Sequence, residues 1–145
     1  MTLLGRIGGG LPPGYMWRVE ALTQVGSEKN KELDNQAQRQ HLVEQVQELA
    51  RSEQPSSQQT VDVKAIENFF ELRDKGGVLN GINIRLFFGV HHGTRTIVVL
   101  GLCKKQNNGP TPQGDIVRMR KRWRDALVIL DSKHAAAEAT KGKTL

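Results

Sequence analysis

The fold is decided by "NIRLFFGVHHGTRTIVVLGLCKK", residues 83–105, in which two apolar runs flank a short polar turn. Successive residues of a β-strand point to opposite faces of its sheet. By this period, four apolar side chains of the first run share one face: Ile84, Leu86, Phe88 and Val90. The other face mixes a cation, an aromatic ring and an imidazole: Arg85, Phe87, Gly89 and His91. The pattern predicts a strand with one face in the core.

The second run and an earlier segment extend this strand into a sheet. "TIVVLGLCKK", residues 96–105, is apolar on both faces until its lysines, which predicts a central strand. The connection "HHGTR" is tight, and Gly93 is free to take a positive φ there. "FFELR", residues 69–73, predicts a third strand, joined to the first by the loop "DKGGVLNG". We therefore expect three antiparallel strands in a meander.

A strand and a helical region are predicted before the meander. "YMWRVEAL", residues 15–22, has the aromatic and β-branched content of a strand. Residues 27–52 carry apolar side chains at spacings of three to five, which indicates helix. Because Asp34-Asn35 can cap a second helix, the pattern allows either one long helix or a helix pair.

A basic helix is predicted after the meander. Thr111 can accept a bond from a free backbone N–H, and Pro112 suits the first helical position. An apolar stripe then recurs at spacings of three and four: Ile116, Met119, Trp123, Leu127 and Leu130. Five cations lie beside it: Arg118, Arg120, Lys121, Arg122 and Arg124. We expect the stripe to pack on the sheet and leave the cations along its border.

These elements fit one α+β domain of a 145-residue chain. We expect a flexible leader at residues 1–14, a single domain at residues 15–131 and a flexible basic tail at residues 132–145. The single cysteine, Cys103, cannot form an internal disulfide, and it lies in an apolar run. No apolar stretch approaches the roughly 18 residues of a membrane span. We therefore expect a soluble, cytoplasmic protein.

Positive charge is concentrated in the last third of the chain. Residues 1–103 hold eleven Lys plus Arg and eleven Asp plus Glu, whereas residues 104–145 hold ten and four, so the net charge of +6 arises there. Such local basicity is typical of a docking surface for RNA, DNA or an acidic protein segment. The alternative is a helix whose exposed face happens to be basic. No zinc-type spacing or phosphate-binding glycine loop is present, so we expect neither metal nor cofactor.

The order of these features resembles the HigB-type host-inhibition toxins of the RelE/ParE superfamily. The resemblance covers about residues 60–130 and rests on "FFELR", a glycine-rich loop, "IRLFFGV", "IVVLGLCKK", a polar turn with "TP" and "DIVRMRKRWRDAL". It implies an N-terminal strand and helical hairpin, then an antiparallel sheet and a C-terminal basic helix. It also implies a toxin of a type II toxin–antitoxin system that cleaves mRNA within the ribosome. Its expected partner is a cognate antitoxin, a helix-turn-helix protein.

The resemblance also implies site residues. Arg73, Arg85, Lys104 and Lys105 occupy positions where the family carries conserved cations. RNA cleavage without a metal needs a general base, a general acid and cations beside the phosphate, and arginine donates in parallel to two phosphate oxygens. We expect Arg73, Arg85 and Lys105 to face the surface, where truncation costs little stability. The five cations of the basic helix are expected to bind RNA.

Two histidines and a glutamate are further candidates. His91 or His92 can be the general acid or base, because imidazole titrates near pH 6.5, or both can simply form a polar turn. His91 and Arg85 lie roughly 20 Å apart along one strand, so both cannot touch one phosphate. Glu71 can be a carboxylate base, but an acid two residues from Arg73 on one strand face favours a structural ion pair.

The sequence is compatible with three functions. The first is a ribosome-dependent endoribonuclease toxin, which the "KK" and "TP" features favour. The second is a ParE-like toxin that inhibits DNA gyrase without nuclease activity. The third is a small non-catalytic nucleic-acid-binding domain, which requires only the segregated positive charge.

Overall fold

The structure, a computed structural model, describes residues 2–3, 13–57, 61–74, 79, 82–105 and 109–143. Within these ranges the chain forms six strands and three helices. The strands are β1 (Thr2–Leu3), β2 (Arg18–Ala21), β3 (Asp62–Ala65), β4 (Phe70–Asp74), β5 (Asn83–His91) and β6 (Thr96–Lys105). The helices are α1 (Thr23–Glu32), α2 (Gln36–Arg51) and α3 (Gln113–Lys143). The α+β class predicted from the sequence is confirmed.

The strands form one mixed sheet in the order β1-β2-β6-β5-β4-β3. β2 runs parallel to β6, and the other neighbouring pairs are antiparallel. The predicted meander of β4, β5 and β6 is confirmed, and β6 lies centrally, between β2 and β5. The sequence does not predict the edge strand β3, because it is only four residues long and exposed at three of its positions, although its Val63 packs against the core. The predicted leader falls largely outside the described residues, but its Thr2–Leu3 forms β1.

The helices α1 and α2 cover one face of the sheet. Asn35 begins α2 by accepting the N–H of Gln38 on its Oδ1 at 2.9 Å, so the helix pair and its cap are confirmed. α1 begins at Thr23, a few residues before the start that the apolar period predicts. The pair packs through Val46 and its neighbours against the strand residue Phe88 and the rest of one core cluster.

Helix α3 covers the opposite face. Met119, Trp123 and Leu130 of the predicted stripe are buried against Phe87. Gly89 makes room for the indole, because a Cβ there would lie 2.5 Å from the Trp123 ring. The second face of β5 is therefore also buried, although its composition is mixed.

Helix α3 differs from the sequence expectation in its cap and in its length. The helix does begin just after Thr111 and Pro112, but the Thr111 hydroxyl donates to Glu71 Oε1 at 2.7 Å rather than serving as a cap. The helix then continues to Lys143, through most of the segment predicted as a tail, and alanines at residues 135–137 favour helix there. None of the helices in the described part of the chain is long and apolar enough to cross a membrane.

The turn between β5 and β6 takes its left-handed residue at an unexpected position. The prediction that Gly93 has a positive φ is wrong, since Arg95 has it instead, at 48°. Contacts of the Arg95 side chain explain the choice: its Nε donates to the carbonyl oxygen of Met16 at 3.0 Å, and its guanidinium lies 4.4 Å from the Trp17 ring centroid. Tertiary contacts thus outweigh the intrinsic preference of glycine for this conformation.

A bulge in β6 sets which face its last residues occupy. Phe87 pairs with Gly101 and Phe88 with Val99, which leaves Leu100 as an extra residue. Leu100 lies in the α3 core, and a Cβ on Gly101 would meet Met119, so two successive residues face α3. Strict alternation resumes after Gly101.

Candidate functional site

A fully buried carboxylate gathers cations at one end of the sheet. Glu71 of β4 is 0% exposed and accepts from Arg85 Nη1 at 2.6 Å and from the Thr111 hydroxyl at 2.7 Å, both on Oε1. Arg73 Nη2 lies 3.5 Å from the other oxygen, Oε2. We call these four residues together with Lys105 the glutamate cluster. It lies beneath the segment that leads into α3.

Strand register explains why these side chains meet. Arg73 and Arg85 are directly opposite each other in the antiparallel pairing of β4 with β5. Glu71 is two residues before Arg73 and so shares its face. Like charges directly opposite each other destabilise a sheet, and the carboxylate offsets this by contacting both arginines. The ion-pair interpretation of Glu71 is confirmed, with Arg85 as the nearer partner.

Glu71 is ionised within the cluster. Burial raises the pKa of Glu71, but hydrogen bonds from Thr111 and Arg85 and the charges of Arg73 and Arg85 outweigh burial, so its pKa is below the usual range. The carboxylate therefore acts as an acceptor that fixes the positions of its donors. Two arginines contact the one carboxylate, and Lys105 shares the Gly109 carbonyl with Arg85, so the excess of positive charge favours an anion at the cluster.

The two strand-end lysines point to different faces. Lys105 Nζ donates to the carbonyl oxygens of Gly109, at 2.6 Å, and Pro110. Arg85 Nη2 donates to the same Gly109 oxygen at 3.2 Å. Lys104 is exposed and lies on the opposite face of β6 by alternation. Three of the four cations predicted for the site therefore come together, and Lys104 stands apart.

The two arginines of the cluster differ in exposure. The Arg73 side chain is 25% exposed, whereas that of Arg85 is 1% exposed. The prediction that Arg85 faces the surface is wrong, because α3 and residues 109–111 cover its face of the sheet. The Nε atoms of both arginines are buried and have no hydrogen-bond partner among the described residues. An anion entering from solvent meets Arg73 first.

Three of the five cations predicted to bind RNA form ion pairs. Arg118 pairs with Asp115 one turn earlier, at 3.1 Å. Arg120 donates its Nε and Nη2 to the two oxygens of Glu67, at 2.7 and 2.6 Å. This hydrogen bonding holds the pKa of Glu67 below its usual range. Both arginines nevertheless remain close to half exposed.

Arg122 is the most deeply placed of the five. Its Nη1 donates to Glu28 of α1 at 3.0 Å and to the carbonyl oxygen of Leu100 at 2.9 Å. Gly101 makes this approach possible, because a Cβ there would lie 2.5 Å from the same nitrogen. Arg122 therefore ties α3 to α1 and to the sheet, and it is a poor candidate for contact with RNA.

The other two cations of α3 are open. Lys121 and Arg124 are exposed, lie about one turn apart and form no ion pair with another described residue. The basic surface of α3 consists of these two residues, with the half-exposed Arg118 and Arg120 beside them.

The two candidate histidines lie at the other end of β5. His91 is 8% exposed; its Nε2 lies 2.7 Å from Asp131 Oδ1, and the N–H of Thr94 donates to its Nδ1 at 3.1 Å. Because the Thr94 N–H donates to Nδ1, Nε2 is the ring nitrogen that donates to Asp131. His91 thereby ties the turn to α3. His92 is exposed, with its ring edge-on to Trp17 at 5.4 Å. This arrangement favours the polar-turn interpretation.

Several polar contacts have no signal in the sequence. His41 of α2 and Asp74 of β4 join at 2.6 Å although they are 33 positions apart. Thr111 is predicted as a helix cap but serves Glu71. Cys103 lies 3.8 Å from Asp115, and burial, followed by that carboxylate, raises the pKa of its thiol to about 12. The thiol is therefore protonated and a weak nucleophile at neutral pH.

An apolar cavity lies apart from these polar groups. It has a volume of about 330 Å³ between α1, α2 and the sheet, and its walls include Val25, Leu42, Val46 and Val99. Its lining offers little acid–base chemistry. Within the described ranges, no three His, Cys, Asp or Glu side chains are grouped closely enough to hold a metal ion.

One known protein family has a profile that matches this chain. The profile of the family described as "Phage derived protein Gp49-like (DUF891)" matches residues 30–124, about two thirds of the chain. No curated protein and no solved structure gives a significant match. The matched range includes every residue of the glutamate cluster. The chain therefore belongs to the Gp49-like family, which is associated with the toxins of toxin–antitoxin systems of the RelE/ParE-like type, and membership implies an antitoxin partner.

Proposed function

We propose that this protein is a HigB-like toxin that cleaves mRNA at the ribosome as a metal-independent endoribonuclease. The supporting observation is the pair of arginines, Arg73 and Arg85, that face each other on β4 and β5 and are held by Glu71. Planar guanidinium groups donate in parallel to two oxygens of one phosphate. The pair and Lys105 thus suit a phosphate that gains negative charge as the RNA strand breaks.

The residues of the glutamate cluster have different roles in this proposal. Arg73 makes the first contact, because it is partly exposed and its Nε has no acceptor among the described residues. Arg85 acts from beneath, oriented by its bond to Glu71. A phosphate oxygen replaces the Gly109 carbonyl as the acceptor for Lys105. Each preorganised donor of this kind contributes about 2.7 to 4 kcal/mol to transition-state stabilisation.

Exposed cations outside the cluster hold the rest of the RNA strand. Lys121 and Arg124 are exposed on α3, and Lys104 is exposed at the end of β6 on the other face of the sheet. Phosphate contacts of this kind position a nucleic acid without reading its sequence, and they weaken as salt rises. We assign no such role to Arg122, which α1 and the sheet already engage.

A role for His91 or His92 as general acid or base stays a prediction. Both rings lie six or seven residues along the chain from Arg85, or roughly 20 Å at 3.3 Å per strand residue. His91 would first have to give up its bonds to Asp131 and Thr94. Proton transfer by either ring at the phosphate bound to Arg73 therefore requires a movement of the turn.

Expression without the antitoxin tests the proposal. The wild-type chain should arrest translation and cleave mRNA, while Arg73→Ala and Lys105→Ala should reduce cleavage by about 100- to 1000-fold. Lys31→Ala, which removes an exposed cation of α1, is the matched control and should stay toxic. Growth, mapping of mRNA ends and thermal melting of each variant are measured together. A folded Arg73→Ala protein that cleaves at the wild-type rate would falsify the assignment.

A ParE-like inhibitor of DNA gyrase is the second candidate. One observation favours it: Arg85 and Lys105 already bond to Glu71 and Gly109, which a purely structural role also explains. Expression would then cause DNA damage while mRNA stays intact. A non-catalytic nucleic-acid-binding domain, the third candidate, would cause neither effect.

A further inference from the structure

A second polar pocket lies where β2, the β5–β6 turn and α3 meet, at the end of β5 away from the glutamate cluster. Its volume is about 230 Å³. We call it the Glu20 pocket; it is lined by Arg18, Glu20, Thr94, Thr96, Leu130 and Lys133. None of these residues belongs to the site proposed for RNA cleavage.

Glu20 is the unusual member of this pocket. It is 9% exposed, and its Oε2 is fully buried with no hydrogen-bond partner among the described residues. Within those residues no ion pair joins it to Arg18, which lies two positions away on β2 and faces the same pocket. A buried acceptor without a donor is costly, and native proteins rarely keep one that no ligand or water satisfies. Glu20 therefore offers a buried acceptor to a ligand that carries N–H groups.

The surrounding groups restrict the ligand further. Arg18 and Lys133 place two positive charges at the same pocket, and these oppose a lysine or arginine side chain from another protein. A ligand that suits all three ionisable groups presents a neutral N–H donor to Glu20 and an anion to the cations. Leu130, 1% exposed, adds an apolar wall against which a ring can lie.

The polar wall of the pocket is held in place. Thr94 Oγ1 lies 2.7 Å from His91 Nδ1 and 2.9 Å from Thr96 Oγ1, and His91 Nε2 lies 2.7 Å from Asp131 of α3. The turn is thus joined to α3 beside the pocket. A preformed pocket of this kind binds a ligand with little cost of ordering.

We propose that the Glu20 pocket binds a nucleotide whose base carries an exocyclic amino group, with Glu20 accepting from that group and Arg18 and Lys133 contacting the phosphate. Carboxylates accept from cytosine N4 in nucleic-acid recognition. Uracil fits worse, because its single ring N–H lies between two carbonyl oxygens that a carboxylate repels. The inference goes beyond the proposed function, since binding here requires neither toxicity nor RNA cleavage.

Cytidine and uridine monophosphate form a matched pair of probes. Titration calorimetry with the full-length chain should show CMP binding about 10-fold more tightly than UMP. Glu20→Gln keeps the shape of the side chain and should abolish this preference, because an amide can serve either base. Arg18→Ala should weaken CMP and UMP alike and leave the nucleoside cytidine unchanged. Lys31→Ala, on α1, should bind as the wild type does.

Short RNAs separate a free nucleotide from a nucleotide within a strand. If UUCUU binds more tightly than UUUUU and Glu20→Gln removes the difference, the pocket reads RNA; if CMP alone shows the preference, its ligand is a free nucleotide. Both results support the proposal. Equal affinity for CMP and UMP in the wild type, together with equal affinity for the two RNAs, overturns it. So does a cytosine preference that survives in folded Glu20→Gln, or tighter binding of N-acetyl-lysine amide than of CMP.

Discussion

Replacing Arg85 with methionine should destabilise the protein, although the sequence places this arginine among the surface cations. The Arg85 and Glu71 side chains are 1% and 0% exposed and meet at 2.6 Å. Removing one partner of a buried ion pair leaves an uncompensated charge, which costs about 3 to 5 kcal/mol. Arg73 and the Thr111 hydroxyl still contact Glu71, so we expect the lower end of this range, about 3 kcal/mol.

The double variant Glu71→Gln/Arg85→Met separates the charge from the packing. Both charges are then absent, and the amide oxygen introduced at position 71 would still accept from Thr111, so stability should recover by about 2 kcal/mol relative to Arg85→Met alone. Arg73→Ala is the matched control: its side chain is partly exposed and lies 3.5 Å from Glu71, so its loss should be below about 1 kcal/mol. Urea unfolding followed by circular dichroism measures all three.

An Arg85→Met protein within about 0.5 kcal/mol of the wild type would refute this account of the glutamate cluster. So would a double variant no more stable than the single one. The outcome also bears on toxicity, because loss of toxicity in Arg85→Met alone is explained by unfolding. A folded, non-toxic double variant would instead support a direct role of the Arg85–Glu71 pair at the phosphate.

Four further predictions concern α3, its exposed cations, Cys103 and the acid sensitivity of Glu71. Trp123→Ala should lose about 3 to 5 kcal/mol in thermal melting, because the buried indole packs on the sheet; a smaller loss would mean that α3 is held elsewhere. Replacing Lys121 and Arg124 by alanine should flatten the slope of log K against log salt for single-stranded RNA by about 0.7 per residue, and an unchanged slope would exclude them from the interface. Cys103, with its pKa of about 12, should react with iodoacetamide at neutral pH far more slowly in the folded than in the urea-unfolded chain, and equal rates would contradict its burial. Folding lowers the pKa of Glu71, so its contribution to stability is present above the ordinary value of 4.5 and lost as pH falls below it. Glu71→Gln should therefore make unfolding less sensitive to acid, and an unchanged acid midpoint would show that other groups govern it.

Local sequence patterns predict much of the fold. The alternation in residues 83–90 identifies β5 by its two-residue period, although β5 is buried on both faces, and the continuous apolar run of 96–103 identifies the central β6. Asn35 marks the start of α2 because its cap needs only neighbouring backbone. The stripe through Trp123 identifies the buried side of α3 for the same local reason.

Features that depend on register or distant partners were beyond the sequence. The meeting of Glu71 with Arg85 depends on how β4 and β5 align, which the strand period alone does not specify. Arg122 bonds to Glu28, which is 94 positions away in the chain. The left-handed conformation of Arg95 depends on contacts with Met16 and Trp17, which precede β2. Glu20 appears as an ordinary polar strand residue in the sequence, and only the meeting of three elements buries it.

Charge segregation along the chain overstates charge segregation on the surface. Residues 104–145 carry ten cations and four acids, yet Arg120 and Arg122 are paired with Glu67 and Glu28, which come from the charge-balanced part of the chain. These ion pairs join α3 to the rest of the domain, so part of the positive charge of α3 stabilises the fold. This agrees with the alternative interpretation, in which the exposed face of the helix is basic without binding a polyanion. The exposed cations without ion pairs among the described residues are fewer than the sequence count implies. A polyanion at this surface should therefore neutralise only a few cations, and its affinity should depend less steeply on salt than five helix cations would produce.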